Sequence, residues 1–146
     1  MALAKASERD KNLLTLLKQW KGLEDITIKS CSSILKKSTN PIIQTLTNAI
    51  RNDSEKHKAI IQLVIDSMTK KAIVLTSEDL ADVASLLDKH IGIEQKAIDM
   101  AEEAIELSRD AIVVQMLKLI LEDEKKHKKM AKQMNELKFR ITAKIT

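Results

Sequence analysis

Two glycines and one proline in 146 residues leave little from which to build turns, bulges or flexible linkers. That scarcity, beside abundant Leu, Ile, Ala, Lys and Glu, predicts a few long helices. Aromatic side chains are nearly missing too: Trp20 and Phe139 stand alone, and there is no tyrosine. A stacking surface for single-stranded nucleic acid is therefore not expected, and no tyrosine is available as a redox relay. Cys31 is the lone cysteine, which excludes an internal disulfide and makes a reducing, cytoplasmic setting the default. The opening stretch MALAKASERDK lacks the continuous apolar core of a secretion signal. No run of about 18 apolar residues is present to span a bilayer.

What is present is 44% hydrophobic and 32% charged residues with a net charge of +4, a globular composition that fits one domain with a sizeable core. The lysines of EKKHKKMAKQ and the tail KFRITAKIT carry part of that charge. A solvated lysine face is the simpler reading of them, with contact to DNA or acidic lipids the sharper one. Helix starts are legible at Ser7 with Asp10, at Asn40 followed by Pro41, at TSEDL (76–80) and at Asp110. They predict four helices, roughly 7–37, 41–69, 78–107 and 111–139, in an all-α antiparallel four-helix bundle.

Inward positions at a three-four spacing trace one seam along each helix. The first carries Leu13, Leu17, Trp20, Glu24, Thr27, Cys31 and Ile34. The second carries Ile43, Thr47, Ile50, Ser54, His57, Ile61, Val64 and Met68. The third carries Val83, Leu87, His90, Glu94, Ala97, Ala101 and Ala104, and the fourth Val113, Leu117, Ile120, Glu124, His127, Ala131 and Met134. Polar residues interrupt each seam near its middle. A shift of 70 residues superposes the halves: GLE (22–24) falls on GIE (92–94), and DSEKHK (53–58) on DEKKHK (123–128). The chain reads as two homologous helical hairpins, about 7–69 and 78–139, forming one domain over 1–146.

The repeat gathers an acid from the first helix of each hairpin and a histidine from the second. Residues i and i+3 share a helix face, so Glu124 and His127 can present an oxygen and a nitrogen to one point. Glu24, His57 and Glu94 occupy the facing seams. A buried carboxylate without a partner costs several kcal/mol or takes up a proton, so acids and imidazoles converging in a core are most simply held together by a divalent metal. Mixed carboxylate–imidazole ligation suits iron, manganese or zinc. The plain alternative for Glu124 and His127 is a helix-surface pair in a lysine-rich patch.

Order and spacing here resemble the ferritin-like superfamily of di-iron and di-manganese carboxylate proteins, which includes bacterioferritins and rubrerythrins. That pattern places a Glu on helices one and three and Glu-x-x-His on helices two and four. The resemblance implies Glu24 and Glu94 as terminal ligands, Glu124 as a bridging ligand, and His57 and His127 as nitrogen ligands. Asp53 and Asp123 would orient the imidazoles from behind. Ser54 departs from the pattern, standing where the second bridging glutamate belongs, and Glu55 is turned about 100° off the seam. His90, one turn before Glu94, is the residue that could complete an altered site. The rubredoxin-type cysteine module of rubrerythrin is missing.

A ferritin-like bundle also needs a long connection between its second and third helices. From the expected boundaries, about 20 Å of helix two follows His57 and about 24 Å of helix three precedes Glu94. Residues 70–77 reach at most roughly 28 Å. Frayed helix ends, an up-down-up-down bundle, or hairpins swapped between two protomers would each reconcile these lengths. The first and third preserve a two-fold site. The leading expectation is thus an iron- or manganese-binding protein, with oxidoreductase activity toward oxygen or peroxide as the chemistry the resemblance implies, and a homo-oligomer, a dimer first. The alternative is a non-enzymatic bundle with a degenerate site that acts through self-association or a protein partner. A third, weaker reading is a Dps-like oligomer using the basic end of helix four on DNA.

Overall fold

A computed structural model describes residues 7–145, with side chains through Leu137; residues 1–6, on which part of the N-terminal reading falls, and the side chain of Phe139 lie outside it. The described residues form four helices: α1 (Glu8–Lys37), α2 (Pro41–Thr69), α3 (Ser77–Leu107) and α4 (Ala111–Ile145). No strand occurs among the described residues, and no described helix is long and apolar enough to cross a membrane.

Each helix starts where a polar side chain can satisfy its first free N–H groups. Ser7 Oγ accepts from the Asp10 N–H at 3.0 Å. Asn40 Oδ1 accepts from Ile42 and Ile43 at 2.9 and 3.3 Å, with Pro41 in the first turn where its missing N–H is not needed. Thr76 and Asp79 form a reciprocal capping box at 3.0 and 3.1 Å. Asp110 Oδ1 accepts from Ile112 and Val113 at 2.8 and 3.1 Å. Such a cap contributes about 1 kcal/mol.

Two compact units, Met1–Ile73 and Val74–Thr146, coincide with the two halves of the repeat. In the first, α1 packs against α2 around Leu17, Ile61 and Ile65, with Leu14 beside them. Lys58 bridges the two helices to Asp25 at 2.6 Å, and Lys21 does so to Gln62. In the second, α3 packs against α4, and Lys128 reaches Gln95 at the positions equivalent to Lys58 and Asp25. Only residues 70–76 join α2 to α3, so the helix ends are not frayed to lengthen that connection.

Burial divides each seam into two columns. Leu17, Glu24 and Cys31 are buried on α1, whereas Leu13, Trp20 and Ile34 of the same seam are exposed. On α2, Thr47, Ser54 and Ile61 are buried, while Ile43, Ile50, Val64 and Met68 are exposed. The second unit repeats the division. Glu94, Ala101 and Ala131 are buried, but Val113, Ile120 and Met134 are exposed. The seam positions were expected to point inward together. One neighbouring helix covers only part of an apolar arc wider than about 100°, so the second column stays open within each pair.

Candidate metal centre

The five expected ligands fall into two sets, one per unit, and the equivalent positions differ in chemistry. In the α1–α2 pair the centre is Glu24, 9% exposed. Its Oε1 accepts from Trp20 Nε1 at 3.2 Å, one helical turn earlier, and lies 3.3 Å from His57 Nδ1 on α2. Ser54, 4% exposed, faces it from α2. Burial pushes the Glu24 carboxyl up, but hydrogen bonds from Ser54, His57 and Trp20 outweigh it and hold the group below the usual carboxylate range. The ring nitrogens of Trp20 and His57 both converge on the one oxygen, Oε1.

In the α3–α4 pair the centre is Glu94, 6% exposed. His90 takes the place of Trp20 and brings Nε2 to Glu94 Oε1 at 2.8 Å. His127 Nδ1 lies 3.9 Å from both Glu94 Oε1 and Glu124 Oε1. Glu124 stands where Ser54 stands in the other unit, so a hydroxyl donor is replaced by a second acid. Glu94 Oε2 is buried without a hydrogen-bond partner. Sharing a proton with Glu124 is the remedy the protein itself offers. That sharing holds Glu94 down, against burial and with help from the charges of His90 and His127. It pushes Glu124 up, with burial and the charge of Glu94 acting in the same direction.

One oxygen of Glu94, one of Glu124 and one nitrogen of His127 lie within 4.8 Å of one another. Two donors bound at about 2.1 Å to one ion are at most about 4.2 Å apart. Shifts of under an ångström would therefore bring all three onto a single cation. The residues fit a metal on this ground together with the orphaned Glu94 oxygen, which needs a proton or a cation. Asp53 and Asp123 sit on the exposed flank, paired with Lys56 at 3.2 Å and Lys126 at 3.7 Å. Neither makes a hydrogen bond to an imidazole among the described side chains.

Two features escaped the sequence reading. One is the N–H donor that Trp20 supplies to Glu24 from four residues before it, at the position His90 holds beside Glu94. The other is the strap from Lys58 to Asp25 and from Lys128 to Gln95. Both repeat at the shift of 70 and were therefore legible in principle. No known family, curated protein or solved structure matches this chain.

Proposed function

We propose that this chain is a divalent-metal-binding protein of the ferritin-like kind, with its ligands on α3–α4: Glu94, Glu124 and His127. One observation carries the reading: Glu94 Oε2 is buried and unpartnered beside a second carboxylate and an imidazole. Iron or manganese suits this donor set, and zinc is compatible with it. His90 would fix Glu94 through Oε1, leaving Oε2 for the ion. A bound iron or manganese ion would supply redox chemistry toward oxygen or peroxide. The chain's own part is to present Glu94, Glu124 and His127 to the ion from α3 and α4.

The finer fold belongs to the same proposal: each pair is an antiparallel hairpin of a ferritin-like bundle. Its support is that contacts move up α2 as they move down α1, from Lys21–Gln62 through Asp25–Lys58 to Leu35–Gln44. A cytoplasmic setting is proposed with it, from the single buried Cys31.

A second reading has its own observation. Glu24 Oε1 already meets Trp20 and His57, and buried Ser54 stands where the pattern has a second acid, which supports reading the α1–α2 half as a hydrogen-bonded core. If both halves have gone that way, the protein is a non-enzymatic bundle. Elemental analysis after refilling with Fe(II), Mn(II) or Zn(II) separates the readings. We expect bound metal in the natural chain and none in the Glu124→Ala/His127→Ala variant. Less than about 0.1 metal per chain with every ion, far below the near-full loading of a protein metal site, would sink the metal reading.

A further inference from the structure

The two halves of the repeat differ sharply in charge. Met1–Ile73 holds 13 basic and 7 acidic residues, a net +6, whereas Val74–Thr146 holds 12 and 14, a net −2. Much of the excess gathers on α1. Lys11, Lys18, Lys29 and Lys36 follow one another at steps of 7, 11 and 7 residues, each within about 20° of a whole number of turns. They form one straight row roughly 37 Å long, with every side chain exposed. From Lys11 to Lys37 the helix has two acids. Glu24 is buried, and Asp25, the carboxylate beside the row, is held by Lys58 of α2 at 2.6 Å. Among the described residues no carboxylate pairs with any of the four lysines.

We propose that this face of α1 binds the phosphates of a nucleic-acid duplex without reading the bases. A lysine row gains affinity for such a polyanion by releasing its condensed counterions. The row is about as long as one turn of duplex, roughly 34 Å. Thr15, Gln19, Gly22 and Ser33 lie between the lysines and are exposed. Their hydroxyl and amide groups are donors for phosphate oxygens, and Gly22 has open space where a side chain would stand. An anionic membrane fits less well, because a helix at a lipid surface buries a continuous apolar strip beside its cations. Ile26 is the one large apolar residue on this face.

The richer lysine run of α4 is a weaker candidate. Lys118, Lys125, Lys129 and Lys132 share a face there, but exposed Glu122 and Glu136 lie on it too. Lys126 pairs with Asp123, and Lys128 reaches Gln95. A second copy is also a weaker partner for the α1 row. Asp88, Asp99 and Glu106 of α3 stand at the repeat positions of Lys18, Lys29 and Lys36 and offer the opposite charge. Exposed ion pairs contribute at most about 1 kcal/mol each, so three fall short of the roughly 4 kcal/mol or more that association costs.

The test uses the full chain in EDTA, which keeps it independent of the metal reading. Fluorescence anisotropy follows a labelled duplex of about 20 base pairs between about 50 and 200 mM salt. Four phosphate contacts predict a log–log slope of about −3.6, a loss of roughly 100-fold over that range. Lys18→Ala/Lys29→Ala should bring the slope to about −1.8 and weaken binding at the lowest salt at least about 10-fold. Lys125→Ala/Lys129→Ala should change neither. All four side chains are exposed, and circular dichroism checks that both variants remain helical. No binding at the lowest salt, or equal loss in the two variants, overturns the proposal. Binding to vesicles containing phosphatidylserine without binding to the duplex makes the row a membrane surface and overturns it as well. So does salt-sensitive self-association without duplex binding, which would assign the row to α3 of a second copy.

Discussion

The two central glutamates permit a comparison in which one substitution is expected to act with opposite signs. Glu94→Gln replaces the orphaned, buried Oε2 with an amide that can donate to Glu124, while the remaining oxygen still accepts from His90. An unmade hydrogen bond on a buried polar atom costs about 1–3 kcal/mol, and an amide donor makes the bond to Glu124 without the proton that the two carboxyls otherwise share. The metal-free variant should therefore be more stable than the natural chain by about 1–2 kcal/mol. Glu24→Gln removes the charge from a carboxylate that already receives Trp20, His57 and Ser54. Charge-assisted bonds are roughly twice as strong as neutral ones, so this variant should lose about 1 kcal/mol. Thermal unfolding in EDTA near neutral pH reads both, at about 3–5 °C per kcal/mol for a chain of this size. Added Mn(II) should then raise the melting temperature of the Glu24→Gln protein but not that of Glu94→Gln. Shifts of the same sign in EDTA would refute the assignment of a satisfied and an unsatisfied half.

Three further outcomes follow from the same geometry. In EDTA Glu94→Gln should flatten the pH dependence of stability. It removes the neighbour that raises the Glu124 pKa, a contribution complete at low pH and lost as pH rises, and it removes the lowered pKa of Glu94 itself, a contribution present at neutral pH and lost on acidification. Glu24 has the second behaviour alone: its lowered pKa contributes stability at neutral pH that fades on acidification. A melting-temperature series from about pH 4 to pH 8 checks both signs. Ser54→Glu places a second acid beside buried Glu24 and should cost the metal-free protein roughly 2 kcal/mol; elemental analysis should show it gaining metal at the α1–α2 unit. Ile61→Ala, at a site 4% exposed in the first core, should cost about 2–4 kcal/mol in urea unfolding. Neighbouring Ile60→Ala, at 51% exposure, should cost under about 1 kcal/mol.

Helix number and starts were legible because each depends on local chemistry. Ser7, Asn40–Pro41, Thr76 and Asp110 cap helices through bonds to residues two or three positions away. The pairing of Glu94 with Glu124 and His127 was legible through the seven-residue pattern and the repeat. The split of each seam into a buried and an open column was not. Apolar periodicity marks every face that some neighbour can cover, whereas burial depends on how many neighbours a helix has. Ile50 and Ile61 follow the same pattern, yet one is exposed and the other buried. The roles of Trp20 and His90 were obscured for another reason. Trp20 read only as a seam residue and His90 as a residue that could complete an altered site, whereas the structure gives both the same place, four residues before a glutamate and beside its Oε1.

The central claim is that metal demand resides in α3–α4 and not in α1–α2. Isothermal titration of Mn(II) into His127→Ala and His57→Ala tests it most directly, because the two histidines are equivalent in the repeat. Loss of binding in His127→Ala with natural affinity in His57→Ala is the predicted result. Binding that survives His127→Ala, or that fails in His57→Ala, contradicts it.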